Sequence, residues 1–318
     1  MLTRYLSLIL ILLFTVSCAR HPKVLPPPPL KTQSKSETRI MSNFNQINIL
    51  GSINVRLRTG YKSSGVVLSG HPDDRRHVVT EIRDGNTLYV LVKKGAPSLG
   101  TLSIDIRAPH LNAFTYKGAG TITGKNIHSS LLDLDIDNPE QTSLGGSIVL
   151  RKLYASGGGS IIVKSVKSRF LQLKISGKTR VLLTGLINTS KLDLKGDGWL
   201  GMYWVKSPFL TICAKGKTNI QLAGRVEKLD VELWDQAQFK GRYLRAMNAF
   251  VKTHGKSIAE ISAIRHQHAL ATDASNIYFY KIPKTKSDFM AFQGSVLDMR
   301  DISLPFVEEY NRYNKETH

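Results

Sequence analysis

Cysteine is nearly missing from this chain, with only Cys18 and Cys213 in 318 residues. Cys18 falls in an N-terminal leader, so no disulfide can close within the folded part and packing alone must hold it. Long apolar runs are lacking too, since Leu6 to Phe14 is too short to cross a bilayer. The central region offers no helix-forming stripe at i, i+3, i+4, i+7 that returns from segment to segment. Acidic residues are scarce, 24 Asp and Glu against 44 Lys and Arg, which leaves a net charge of +20. That excess favours anionic partners such as lipopolysaccharide phosphates, acidic glycans or anionic lipid. The charges are spread along the chain without an aromatic ladder or nucleic-acid motif, so no nucleic acid is expected. There is also no nucleophile elbow, metalloprotease helix or dinucleotide fingerprint, and the expectation is a non-enzyme without a cofactor.

What the chain does have is a repeat of about 19 to 20 residues from Leu111 to Pro283, the period of a solenoid. Segments beginning at Leu132, Leu171, Leu192, Leu210 and Leu229 open with alternating apolar and polar residues. Each is followed by a turn-type residue, and Gly118, Asn138, Gly159, Gly177, Gly198, Gly216, Asp235, Gly255 and Ala274 are the expected corners. Alternation ending at a corner describes a strand, and the corner needs a residue that tolerates positive φ. Stacked at about 4.8 Å, the leucines form columns. The fold class expected is all-β, a single-stranded parallel β-helix of about nine rungs and roughly 40 Å. N-terminal strands with a hairpin would start it, and a C-terminal tail would cap it. Leu111, Leu132, Leu153, Leu171, Leu192, Leu210 and Leu229 are expected in one column.

A second harmonic appears in Gly177-Lys178-Thr179, Gly216-Lys217-Thr218 and Gly255-Lys256-Ser257, which return on every other repeat. A phosphate loop would need glycine five places earlier, where Gln172, Thr211 and Phe250 stand, so these triplets read as corners with a solvated lysine.

Residues 1–18 read as an export leader, with Arg4, a short apolar core and the small-residue ending Thr15-Val16-Ser17-Cys18. The stretch resembles a bacterial lipoprotein signal, which implies lipidation of Cys18. Ala19 after it implies outer-membrane sorting, periplasmic or surface-facing, with the acyl chains as the membrane partner. Residues 19–42, rich in Pro, Lys, Ser and Thr, read as a tether. The solenoid domain is placed at 43–283 and the cap at 284–318, with a short helix expected over Ser303 to Tyr313.

Between 43 and 108 the strands are irregular, and Asp84-Gly85-Asn86 marks a hairpin turn between Val79–Ile82 and Leu88–Val92. Phe44-x-x-Ile47, Gly51-Ser52-Ile53-Asn54-Val55, Asp84-Gly85-Asn86-Thr87-Leu88, Ala108-Pro109-His110-Leu111 and Lys117-Gly118-Ala119-Gly120 follow in order. In that order and spacing the chain resembles the GIN-domain family of bacterial adhesin-head proteins. The resemblance implies a parallel β-helix that is exported or lipid-anchored, with no catalytic residues to carry over.

Candidate site residues follow from rung position. Lys178, Lys217 and Lys256 form one column, and Trp199, Trp204 and Trp234 on neighbouring rungs offer a sugar-stacking platform. Asp133, Asp135 and Asp137 share an outer face about 7 Å apart. They are the weak metal candidates, and would serve calcium in an alternative reading as a polysaccharide lyase. His266 and His268, with His254 a rung earlier, could gather on one side. Cys213 sits in an outward position without a partner in the chain. The sequence therefore points to a lipid-anchored binding or surface-presentation protein, for acidic glycan or lipopolysaccharide. A purely structural envelope part is the other alternative.

Overall fold

The computed structural model describes residues 36–280 and 285–299. Cys18 and the expected C-terminal helix lie outside them. Strands begin with β1 (Ser36–Ile40), β2 (Gln46–Leu50), β3 (Asn54–Thr59) and β4 (Gly65–Ser69). After the single turn of helix α1 (Pro72–Arg76) come β5 (Val78–Arg83), β6 (Thr87–Val92) and β7 (Ser103–Ala108). β2 and β3 are the lowest coil. Beneath β2 lies β6 in parallel and then β5 antiparallel, and beneath β3 lies β7 in parallel, then β4 and β1 antiparallel. The hairpin expected at Asp84 is present, its three-residue loop Asp84-Gly85-Asn86 lying between paired Arg83 and Thr87, with Asp84 and Gly85 both left-handed (φ 52° and 72°).

Residues 36–40, placed by composition in the tether, are the outermost strand of this base. Polar residues suit an exposed edge. Arg39 fixes the strand by donating to the Val78 carbonyl and the Thr80 hydroxyl, each at 2.9 Å.

The stack continues with β8 (Ala113–Lys117), β9 (Ile122–Asp137), β10 (Gln141–Ser156), β11 (Ser160–Ser168), β12 (Gln172–Gly177) and β13 (Arg180–Ile187). Above these are β14 (Lys191–Gly196), β15 (Trp199–Gly216), β16 (Asn219–Leu233), β17 (Gln238–Thr253), β18 (Ile258–Thr272) and β19 (Asn276–Phe279). A full coil has three sides. In β16 they are Asn219–Leu222, Gly224–Val226 and Lys228–Leu233, each parallel to the same side of the coils below and above. About nine coils result, nearly all strand.

Alternation puts apolar columns inside the coil, more than one on sides one and three. Side one stacks Ile122, Thr142, Ile161, Val181, Leu200, Ile220, Phe239, Ala259 and Ile277. Side three stacks Phe114, Leu134, Leu153, Leu173, Leu192, Ile212, Val231, Val251 and Ala269. These registers correct the expected leucine column. Leu153 and Leu192 sit one inward position further along, over Leu134 and Leu173. β10 carries register shifts before Leu153, and buried Thr189, not Leu192, fills the place above Leu171, its hydroxyl donating to the Leu171 carbonyl at 2.8 Å.

Corners are also reassigned. The left-handed residues between sides three and one are Gly51 in the lowest coil and, from β10 upward, Gly157 with Gly158, Gly177, Gly196, Gly216, Asp235, Gly255 and Asp273. Gly196, not Gly198, is in register with Gly177 and Gly216, and Asp273, not Ala274, holds the last corner. The aspartates are more than glycine substitutes, because Asp235 Oδ2 accepts the Gly216 N–H at 3.1 Å and Asp273 Oδ2 accepts the Gly255 N–H at 2.9 Å. From Gly216 upward Gly and Asp thus alternate, which gives the two-coil harmonic a physical form. In each triplet the lysine is exposed and the hydroxyl residue, Thr179, Thr218 or Ser257, is buried.

The pattern does not stop at Pro283. β20 (Lys286–Phe292) and β21 (Ser295–Asp298) add a further parallel coil on β18 and β19. Phe289 stacks on Ala269 in the inner column yet is 60% exposed, since no described coil lies above it. An end coil has outward and open inward positions alike, so its sequence loses the alternation that marks the others.

Candidate ligand-binding faces

The side chains singled out in the sequence fall at separate places on the coils. Lys178, Lys217 and Lys256 stand exposed at one corner edge, two coils or about 10 Å apart. Lys217 and Lys256 flank a cleft of about 430 Å³ floored by Asn219, Gln236 and Gln238, and Lys178 does not line it. The tryptophans do not make one platform. Trp199 lies half-buried on the outside of side one, its ring folded over Gly201 and capped by the Arg180 guanidinium at 5.3 Å. Trp204 is at the next corner of that coil, left-handed at φ 64°. Trp234, 43% exposed, stacks on His254 at 3.9 Å beyond the end of side three.

Of the aspartate row, Asp133 is taken by Arg151, whose Nε donates to its carboxylate at 2.7 Å. Asp135 and Asp137 point outward without converging, and among the described residues only His266, His268 and Asp288 bring three potential metal donors together. His254 is not part of that group, since its Nδ1 meets the Thr272 hydroxyl at 2.9 Å. Cys213 is half-buried on the outside of side three between Asp193 and Glu232 in register. Burial first, and then the Glu232 charge, push its thiol above the ordinary range, which makes it a poor nucleophile at neutral pH.

Sequence reasoning missed the basic track on side two. Lys206, Arg225 and Arg245 lie in register on β15, β16 and β17. Arg169, Lys206 and Arg225 border a hollow of about 650 Å³ also lined by Asn188, Ser207 and Glu227. Its signal in the sequence was Lys or Arg recurring at the coil period, at 206, 225 and 245. Side two is a short strand, and the register slips at its corners, so alternation did not announce it. Lysines, moreover, enter no side-chain ion pair among the described residues, where the pairs that form use Arg or His.

No helix among the described residues is long and apolar enough to cross a membrane. Solved structures similar to this chain include a putative adhesin from Parabacteroides distasonis at 15% identity, covering 84% of this chain and 96% of that one with a TM-score of 0.45. A putative lipid binding protein from the same organism covers 85% and 98% at 12% identity and a TM-score of 0.41. A putative adhesin from Parabacteroides merdae covers 85% and 98% at 15% identity and a TM-score of 0.38. No curated protein matches the chain. The family profile described as "Putative auto-transporter adhesin, head GIN domain" matches residues 43–217, more than half of the chain, and the protein belongs to that family.

Proposed function

We propose that this is a non-enzymatic, adhesin-like protein of the bacterial cell envelope, held by lipid on Cys18, that binds anionic envelope polymers along its coils. Acidic glycan and the phosphates of lipopolysaccharide are the ligand class. The supporting observation is the state of its cations. The net charge of the chain is +20, and no lysine among the described residues is within ion-pair distance of a carboxylate. Unneutralised charge on a regular strand surface attracts polyanions over a Debye length of about 8 Å at physiological salt. The Lys206–Arg225 track offers one cation per coil, roughly 5 Å apart. The Lys217–Lys256 cleft, with its amide floor, is the second contact region.

Retention on lipopolysaccharide and on sulfated or uronate glycan resins tests this. Lys206→Glu with Arg225→Glu should weaken binding about tenfold, equivalent to about 1.4 kcal/mol, and Lys217→Glu with Lys256→Glu should weaken it by less. Unchanged retention of both double variants would refute the reading. Membrane association should be lost on Cys18→Ala while the solenoid still binds resin, which separates anchor from ligand site.

A further inference from the structure

The upper end of side three assembles a group of donors that polyanion binding does not use. On β18 the alternation sends His266 and His268 outward on the same face, about 7 Å apart along the strand. β20 lies in register above, which sets Asp288 directly over His268 and Lys286 over His266. The Asp288 carboxylate therefore reaches both rings, with Oδ2 at 2.7 Å from His266 Nε2 and 3.3 Å from His268 Nδ1. All three donor atoms lie within 4.8 Å of one another. Zinc bonds of about 2.0 to 2.2 Å place tetrahedral donors roughly 3.4 Å apart, so small rotations of exposed side chains close the shell.

The rings are also held in place. Phe250, in register below, stacks on His268 with centroids 4.7 Å apart, and His268 stacks on His266 at 4.2 Å, within 16° of parallel. Such a ladder keeps the two imidazoles side by side before an ion arrives. Two imidazole nitrogens and one carboxylate oxygen form a donor set for borderline transition metals, unlike the all-oxygen shells of calcium or magnesium. Solvent reaches all three side chains, so remaining positions are open to water or an external donor.

We propose that His266, His268 and Asp288 bind one divalent transition-metal ion of the zinc type, and that the ion ties β20 to β18 and so clamps the last described coil to the stack. The full chain, stripped with chelator, is titrated with Zn²⁺ against a chromophoric competitor. One ion per chain is expected, with affinity reduced at least tenfold in His266→Ala, His268→Ala and Asp288→Asn. His254→Ala, whose ring is engaged elsewhere, should bind as the parent does. Because the chain has nine histidines, affinity in a His266→Ala/His268→Ala double variant equal to the parent would overturn the site. Co²⁺ bound to the unaltered chain should give the visible bands of an imidazole-ligated ion, whatever the folding of the variants. A spectrum indistinguishable from the aqua ion would overturn the site as well. Zn²⁺ should also slow proteolysis within 286–298 in the parent and leave it unchanged in Asp288→Asn.

Discussion

Tyr116 shows how a buried polar group is accommodated in a mostly apolar column. Its ring stacks above Ile49 and below Ile136, and its hydroxyl donates to the Ile53 carbonyl at 3.0 Å across the lowest coil. Burial raises its pKa from 10.0 to about 12. The phenol is neutral in the fold and ionises more easily in the unfolded chain. Its contribution is therefore whole below pH 10 and is lost as pH climbs from about 10 to about 12. Tyr116→Phe should cost about 1 kcal/mol in urea unfolding at neutral pH and flatten the alkaline loss of stability. Asp74 takes the opposite sense. Its buried carboxylate accepts the Ser98 and Leu99 N–H groups, each at 2.9 Å, and the first of these bonds leads in holding its pKa below the ordinary value. That contribution is present above the usual carboxylate range and fades as pH falls through the lowered value.

At the scale of the element, the two-coil harmonic governs the bend from side one to side two. Gly146, Gly185 and Gly224, on every second coil, are left-handed there at φ 137°, 131° and 143°. In each the space for a Cβ is filled by a carbonyl of the coil below, at 2.3 Å for Gly146 and 2.1 Å for Gly185 and Gly224. The intervening coils bend instead through Ser165 and Trp204 at φ 59° and 64°. Gly177 is left-handed too, but its Cβ would meet nothing within 4 Å. Gly177→Ala should therefore cost about 1 kcal/mol, the backbone strain alone. Gly185→Ala adds a clash with the Val166 carbonyl that only separation of two coils relieves, and should cost about 3 kcal/mol or more. Comparing the urea midpoints of the two variants tests the distinction. Equal losses would mean that φ, not coil contact, sets the requirement. Composition does not separate these glycines. Both belong to series that return on alternate coils, and only the neighbouring coil tells an open corner from a filled one.

For the whole molecule, the balance lies between a continuous apolar interior and a surface that repels itself. Inner columns run from the antiparallel base to Phe289 with little interruption, whereas Lys and Arg outnumber Asp and Glu by 44 to 24 in the chain. Screening should therefore stabilise the fold. The Tm is expected to rise by several degrees between about 0.02 M and about 0.5 M NaCl, as the Debye length falls below the spacing of neighbouring coils. A fall over that range would mean that favourable ion pairs outweigh repulsion. The same salt should weaken polyanion retention, so fold and ligand binding respond in opposite directions, as they must if one set of charges serves both.

Much of this was legible in the sequence because a solenoid repeats its local rules. The alternation of Leu132 to Ile136 and its successors dictated strands, the period dictated stacking, and turn residues marked each corner. Those features depend on near neighbours in the chain, and the family motifs from Phe44 to Gly120 are equally local. Register was decided only by the stack. Thr189 above Leu171, Leu192 above Leu173 and the extra coil of β20 and β21 depend on which hydrogen-bonding edge the coil below presents. For the same reason His266 and His268 were visible as a pair while their third donor was not. Asp288 stands a full coil further along the chain, and only the coil's return brings its carboxylate over the rings.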